Sequence, residues 1–241
     1  MDEALDDRLI SILILTSPGR FPERIPLLRR TVARALGQTL QDDQQLEVLV
    51  LDDGPDGHAW PAVAVALPNS SENRRLRYVA LPPGENGRVN MRLKRNVGLH
   101  LSGGGVVVFF DDDDWRSCDS VQAQLELLRR TGADVATVQV QHVCELGGVA
   151  HGDVRPSCVR YFATEDGGGL FSTRLGNPGT MMLRRRAWER NCELGFPDTG
   201  VEDVDFVRLL TADCPLLAQA GEPLIARLRL VTARRGRPCS A

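Results

Sequence analysis

Four consecutive aspartates are the residues of this sequence best placed to do chemistry. Asp111–Asp114 follow the apolar run Val106–Phe110 without a spacer, so the first carboxylates stay close to the end of a buried strand. Carboxylates this close repel one another and raise each other's pKa unless a cation neutralises them. Divalent cations prefer oxygen ligands, and Mg²⁺ is typically shared between one or two carboxylates and substrate phosphates. A solvated loop is the commoner role of an acidic run, but this position favours a site for a metal ion and a diphosphate.

A second acidic pair, Asp52 and Asp53, is followed by Gly54 and comes directly after the apolar run Leu46–Leu51. Asp and Gly favour turns, so a simple turn is one interpretation. A carboxylate at a strand end can also accept a hydrogen bond from a base N–H, which would select a nucleotide. The sequence leaves both interpretations open.

A third acidic pair, Glu202 and Asp203, stands where a helix is predicted to begin. Carboxylates are stabilised at helix N-termini by the helix dipole, so helix capping alone could explain them. The functional interpretation is a general base, because a hydroxyl group is a poor nucleophile until a carboxylate within hydrogen-bond reach takes its proton.

Basic residues precede the aspartate run on a predicted helix that begins at about Arg88 and carries Arg92, Lys94 and Arg95. Several of these side chains are expected on the solvated face of the helix. One that points at the strand ends could contact a base or a phosphate, and we assign this role to Arg95.

The elements that must position these groups alternate between strand and helix. The predicted strands are 9–15, 46–51, 76–81, 106–110 and 134–140, and the predicted helices include 25–36, about 88–101 and 121–128. This alternation predicts an α/β fold with a mostly parallel sheet flanked by helices on both faces. Ligands of open parallel sheets bind outside the carboxyl ends of the strands. We therefore expect Thr16, Asp53 and Asp111 along one edge of the sheet.

Beyond about residue 150 the pattern is less regular. Glycine is frequent between Gly147 and Gly179, which predicts long loops, and a last strand is predicted over Leu224–Val231. A chain of 241 residues is long enough for one sizeable core. A single domain over 1–241 is therefore expected.

Composition excludes several classes of protein. The net charge of −3 gives no basic excess of the kind that nucleic-acid binding requires. The acidic start does not resemble a signal peptide, and the apolar run Leu9–Leu15 is too short for a transmembrane segment, although a peripheral membrane contact is compatible with the sequence. Six scattered cysteines without a CxxC pair favour reduced thiols in a cytoplasmic protein.

Taken in order, the motifs resemble those of the family 2 glycosyltransferases with the GT-A fold. The resemblance extends over about residues 9–215 and rests on five segments: Leu13–Thr16, Val50–Gly54, Lys94–Gly98, Phe109–Trp115 and Val201–Asp205. Each motif is weak alone, and the order and spacing of all five carry the resemblance. It implies a single GT-A domain with a nucleotide-sugar-binding half at about 9–115 and an acceptor and catalytic half at about 116–231.

The resemblance implies roles at the donor. Thr16 and Asp53 would contact the base, usually uracil, and Arg95 would join them. Asp111 and Asp113 would be the ends of a DxD motif that binds the nucleotide and a divalent cation, Mn²⁺ or Mg²⁺. Asp113 would be the direct metal ligand, and Asp112 would fill the variable position.

The resemblance also implies a reaction. Asp203, with Glu202 beside it, would be the base that takes the proton of an acceptor hydroxyl, and the sugar would be transferred with inversion from a nucleoside-diphosphate sugar such as a UDP-sugar. The segment Gly176–Thr180 would lie along the donor sugar and the acceptor. The transferase would be of the hexosyl or N-acetylhexosaminyl type, and its acceptor could be a glycan, a lipid, a protein or a small molecule. The QxxRW motif of processive members is absent, which favours addition of one sugar at a time.

Alternatives from other classes remain. A nucleotidyltransferase would share the metal and the parallel sheet, but Gly19 and Arg20 are too little for its phosphate loop. A non-catalytic nucleotide-sugar-binding module would keep the fold without the chemistry. A dinucleotide-dependent dehydrogenase is disfavoured, because no G-x-G-x-x-G follows the first strand.

Overall fold

The structure is a computed structural model. It describes residues 7–17, 22–54, 59–65, 71–82, 91–146, 149–156, 162–163, 169–170, 178–191, 206 and 217–230.

Four parallel strands form the first half of the main sheet, in the order β3-β2-β1-β4. They are β1 (Leu9–Thr16), β2 (Gln45–Asp52), β3 (Arg74–Ala80) and β4 (Val106–Asp111). In the register of β1, Thr16 lies beside Asp52, and Leu15 lies beside Asp111. The carboxyl ends of three strands are therefore level, as the sequence predicts for the edge that gathers the polar groups.

The second half of the sheet is mixed, and its order continues from β4 as β10-β6-β11-β5. Its strands are β5 (Asp114–Arg116), β6 (Val135–Leu146), β7 (Val149–Pro156), which pairs with β6, β10 (Met181–Arg184) and β11 (Leu217–Leu230). β10 runs antiparallel to both of its neighbours, β4 and β6. A separate pair is formed by β8 (Phe162–Ala163) and β9 (Gly169–Leu170).

Helices cover both faces of the sheet. They are α1 (Ile25–Leu36), α2 (Trp60–Ala64), α3 (Met91–Leu101), α4 (Ser120–Thr131) and α5 (Arg185–Asn191). Alternate residues of β1 point to opposite faces, so Ile12 packs in the cluster with α1 and α4, while Leu13 packs with Leu99 of α3 and Trp188 of α5. Each such fully buried side chain contributes about 1.5–3 kcal/mol. The predicted α/β fold, with a mostly parallel sheet between helices, is confirmed.

Local signals agree with the element ends. Pro26 stands in the first turn of α1, where its missing N–H is not needed, and Gly132 ends α4 with a φ of +67°. Among the described residues, five elements, β7, β8, β9, β10 and α5, fall between residues 146 and 202, where the sequence predicted long loops. None of the described helices is long and apolar enough to cross a membrane.

Candidate functional site

The aspartate run forms a two-residue turn that connects two strands. β4 ends at Asp111, Asp112 and Asp113 make the turn, and Asp114 begins β5. Burial alternates along the run: Asp112 and Asp114 are buried, whereas Asp111 and Asp113 are partly exposed. Two of the four carboxylates of the run are therefore accessible to a ligand.

Asp112 is held inside the turn by polar partners. The Thr16 hydroxyl donates to Asp112 Oδ2 at 2.9 Å, and Arg24 Nη1 lies 3.3 Å from Asp112 Oδ1. Burial raises the pKa of Asp112 to about 6, although Arg24 and Thr16 oppose the rise and the neighbouring Asp113 adds to it. Thr16, to which the family resemblance gives a contact with the donor base, thus has a structural partner in the turn, and its contact with a base stays a prediction.

Arg24 joins the two residues of the turn. Its Nη2 lies 3.1 Å from Asp113 Oδ2, in addition to its contact with Asp112. Arg24 ends the short 3-10 helix Pro22–Arg24 and precedes α1, so it belongs to the connection that follows β1. Sequence reasoning missed this residue; the available signal was its position after the first strand, on the edge where the aspartates were expected.

Asp52 is a structural residue of the strand end. Its carboxylate accepts hydrogen bonds from the backbone N–H of Gly54 at 2.7 Å and of Ala59 at 2.8 Å, and from the Tyr78 hydroxyl. Burial and the Asp52 carboxylate raise the pKa of Tyr78 well above its ordinary value. The turn interpretation of the Asp52–Gly54 segment therefore describes Asp52.

Asp53 is instead paired with a cation. Lys94 Nζ lies 2.8 Å from Asp53 Oδ1, and it also donates to the Thr16 carbonyl at 2.6 Å and to Ser17 Oγ at 2.7 Å. The Lys94 side chain is fully buried, and desolvation lowers its pKa against the opposing effect of Asp53. Its three donors bind together the ends of β1 and β2 from α3.

The basic residue predicted to face this edge was Arg95, and it is buried on α3. Lys94 is the residue whose contacts at Thr16 and Asp53 the structure displays. A sequence signal was present, because Lys94 stands one turn before Gly98, and a glycine within a helix can mark a close approach to a neighbouring element. In the structure a Cβ on Gly98 would lie 3.0 Å from Leu13 Cδ1 of β1.

A buried arginine, Arg116, connects β4 with the segment that contains Gly179. Arg116 Nη2 donates to the Phe109 carbonyl at 2.7 Å and to the Gly179 carbonyl, and the guanidinium lies 4.0 Å from the Phe110 ring centroid. Burial lowers its pKa to about 10, opposed by Asp114 and Asp111, so it is protonated at neutral pH. It anchors the 3-10 helix Pro178–Thr180 to β4.

Gly179 lies directly against the first accessible carboxylate. A Cβ on this glycine would stand 2.5 Å from Asp111 Oδ2. The described part of the Gly176–Thr180 segment thus reaches the aspartate run, and its position along a donor sugar and acceptor stays a prediction.

The accessible carboxylates of the aspartate run are suited to a cation that a substrate also binds. Within the described residues, no group of three or more His, Cys, Asp or Glu side chains is arranged to hold a metal. Asp111 and Asp113 supply two accessible carboxylates, and phosphate oxygens would have to complete the coordination, as is usual for Mg²⁺. Asp203 and Glu202, the predicted base and its neighbour, lie outside the described residues.

Comparison with known proteins gives a family and a fold. The model of the family described as "Glycosyl transferase family 2" matches residues 21–191. No match was found among the curated proteins.

Solved structures of S. aureus TarS share the fold. TarS 1-349 aligns with a TM-score of 0.65 and 19% identity, over 91% of this chain and 60% of that one. Its complex with UDP gives a TM-score of 0.66 and 17% identity over 91% and 60% of the two chains. Its complex with UDP-GlcNAc aligns with a TM-score of 0.65 and 17% identity, over 95% of this chain and 59% of the TarS chain. The chain thus spans about 60% of the TarS chain it matches.

Proposed function

The chain belongs to glycosyl transferase family 2 and has the GT-A fold, and we propose that it transfers one sugar from a UDP-sugar to an acceptor hydroxyl with inversion. The observation that carries the proposal is the level edge of the sheet, where the accessible carboxylates of Asp111 and Asp113 at the end of β4 and the Asp53 carboxylate after β2 lie on either side of the end of β1. We further propose the donor half at about 9–115 and the acceptor half at about 116–231.

The nucleotide would bind across the strand ends. Asp53 offers a carboxylate acceptor for a base N–H, and Lys94 holds that carboxylate at 2.8 Å so that it need not be oriented on binding. Preorganised acceptors lose less entropy when the ligand arrives. Uridine is supported by the TarS complexes with UDP and UDP-GlcNAc, and they also favour a hexosyl or N-acetylhexosaminyl donor.

The diphosphate would lie against the aspartate turn. Asp111 and Asp113 would hold a divalent cation, Mn²⁺ or Mg²⁺, with Asp113 as the direct ligand. Asp111 and Asp112 would also line the site of the nucleotide-sugar donor. When bound, the cation supplies charge neutralisation for the departing nucleoside diphosphate. Gly179 leaves space for the Asp111 carboxylate, and Arg116 fixes the Gly179 carbonyl behind it.

The acceptor would be activated by a carboxylate. Asp203, with Glu202 beside it, would accept the proton of the hydroxyl as its oxygen attacks the anomeric carbon, and the bond to the diphosphate oxygen would break on the opposite face. Positioned bases of this kind contribute about 10²–10⁴-fold to the rate. We expect Asp203→Asn to lower kcat by that factor while UDP binding is kept.

A thermal-shift titration tests the donor site. We expect UDP and UDP-sugars to raise the Tm of the protein with Mn²⁺ present and not with a chelator, because a ligand stabilises the state that binds it. Asp113→Asn should abolish the shift. Asp42→Asn, which removes an equal charge from an exposed position, is the matched control.

Two outcomes would contradict the proposal. If no nucleotide raises the Tm with metal present, the donor-site assignment fails. If UDP-sugars bind but no acceptor class and no water ever receives the sugar, the chain is a binding module of this fold.

A further inference from the structure

We propose that Arg24 is a donor-binding residue that exchanges partners: it neutralises Asp113 while the site is empty and binds the diphosphate once the cation occupies Asp113. The inference rests on the proposed function, since it concerns the same site. It goes beyond that function in assigning a residue and an order of events that make the cation and the nucleotide depend on one another.

The starting point is the way in which one guanidinium spans two adjacent carboxylates. Arg24 Nη1 lies 3.3 Å from Asp112 Oδ1, and Nη2 lies 3.1 Å from Asp113 Oδ2. The side chain of Asp112 is 7% exposed, that of Asp113 is 27% exposed and that of Arg24 is 35% exposed. The contact with Asp112 therefore faces the interior, and the contact with Asp113 lies nearer to solvent.

The two ends of this bridge differ in how firmly they are held. Asp112 is also bound by the Thr16 hydroxyl at 2.9 Å, and the Thr31 hydroxyl donates to its carbonyl at 3.2 Å. For Asp113, Arg24 is the side-chain partner found among the described residues. Losing Arg24 would leave Asp112 in place, whereas Asp113 would gain freedom and an uncompensated charge.

A cation at Asp113 conflicts with Arg24 in its observed position. The guanidinium nitrogen and the cation would both bind the same carboxylate, and like charges a few ångströms apart repel strongly away from bulk water. Coordination of the metal alone is thus opposed by Arg24, so the empty site should bind a free divalent cation weakly.

A diphosphate removes the conflict. It carries negative charge to the same edge, and its oxygens match the fork of a guanidinium, which favours bidentate contacts with phosphate. Arg24 stands in the connection after β1, at the edge where Asp53 and the aspartate turn meet. Turning from Asp113 to a phosphate would need a rotation of the partly exposed end of its side chain and no movement of the sheet.

The consequence is a coupling between two ligands. Each should increase the affinity of the other by the same factor, because coupling between binding sites is reciprocal. Removing Arg24 should change the two affinities in opposite directions. A residue with a merely structural role would lower both.

Isothermal titration calorimetry on the whole chain measures the direction in which the affinities for Mn²⁺ and for UDP change. For Arg24→Gln we expect Mn²⁺ without nucleotide to bind about three- to tenfold more tightly, and UDP with saturating Mn²⁺ to bind at least about tenfold more weakly, a change of about 1.4 kcal/mol. Arg24→Lys keeps the charge but loses the two-pronged guanidinium, so its affinities for Mn²⁺ and UDP should lie between those of the wild type and of Arg24→Gln. Arg29→Gln, which removes a charge from an exposed position of α1, should leave both affinities within about twofold.

The outcomes separate this inference from the proposed function. If the wild type binds UDP with Mn²⁺ but Arg24→Gln and Arg24→Lys change neither affinity, or lower both, Arg24 does not exchange partners and only this inference is overturned. If the wild type itself binds neither Mn²⁺ nor UDP, the proposed function fails and takes the inference with it. Arg24→Lys serves as the informative variant if Arg24→Gln does not fold.

Discussion

Gly179 and Asp111 approach so closely that no side chain fits between them. The position of a Cβ on Gly179 is 2.5 Å from Asp111 Oδ2 and 2.8 Å from its Cγ. The glycine comes from the 3-10 helix before β10 and the aspartate from the end of β4. A segment far along the chain thus determines where the first accessible carboxylate of the run can lie.

Replacing this glycine should weaken both ligand binding at the aspartate run and the stability of the fold. In Gly179→Ala the Asp111 carboxylate must move, and a misplacement of about 1 Å can cost a binding or reacting group up to about a hundredfold. We expect metal-dependent UDP affinity to fall about tenfold or more by calorimetry, with a loss of about 1–3 kcal/mol in unfolding free energy. Gly103→Ala is the control, since its Cβ would make an ordinary 3.5 Å contact with Leu9; equal effects of both variants would contradict the role of Gly179.

The buried pair of Lys94 and Asp53 predicts strong coupling in stability. Lys94→Met leaves the Asp53 carboxylate buried without its cation, and breaking such a pair from one side costs about 3–5 kcal/mol. Combining it with Asp53→Asn should recover part of that loss. Urea unfolding of the four proteins gives the coupling energy, for which we expect about 1–3 kcal/mol. Additive losses would mean that the two charges do not stabilise each other.

Substitutions of the neighbouring residues Asp52 and Asp53 should have different effects, the first on protein stability and the second on UDP affinity. Asp52→Asn puts an amide NH₂ against donors from Gly54, Ala59 and Tyr78, so we expect a loss of about 2–4 kcal/mol, since hydrogen bonds to charged groups contribute about 1.5–3 kcal/mol each. UDP affinity measured well below its Tm should stay within about threefold of wild type.

Asp53→Asn is the complementary variant. It should lower the affinity for UDP by more than about tenfold, because a base N–H loses its charged acceptor. Chemical denaturation and calorimetry measure the two quantities. Loss of nucleotide affinity in Asp52→Asn alone would reverse the assignment of the two residues.

Removal of divalent cations should leave the unliganded fold intact. Arg24 and Thr16 already bind the carboxylates of the aspartate turn, so the turn does not need a metal to remain closed. We expect EDTA to change the Tm of the nucleotide-free protein by less than about 1 °C and to abolish the shift caused by UDP. A large drop in Tm with EDTA alone would instead indicate a structural metal.

Much of this molecule was predictable from sequence because its signals are local. The continuous apolar runs that became β1, β2 and β4 are typical of strands buried on both faces, and the polar residues after them mark the strand ends. Pro26 and Gly132 fixed the ends of helices through backbone geometry that depends on single residues. The level edge carrying Asp53 and Asp111 followed from these elements together with the rule for parallel sheets.

The tertiary structure decided which polar groups serve the fold and which are left accessible. Asp52 and Asp53 are identical in type and adjacent, and only the packing of Tyr78 and Lys94 around them gives one to a turn and the other to a buried ion pair. The same holds within the aspartate run, where the packing buries Asp112 and Asp114 and leaves Asp111 and Asp113 partly exposed. Such partners come from distant parts of the chain, and neither spacing nor composition encodes the contact of Gly179 with Asp111, because it exists only after β10 has packed beside β4.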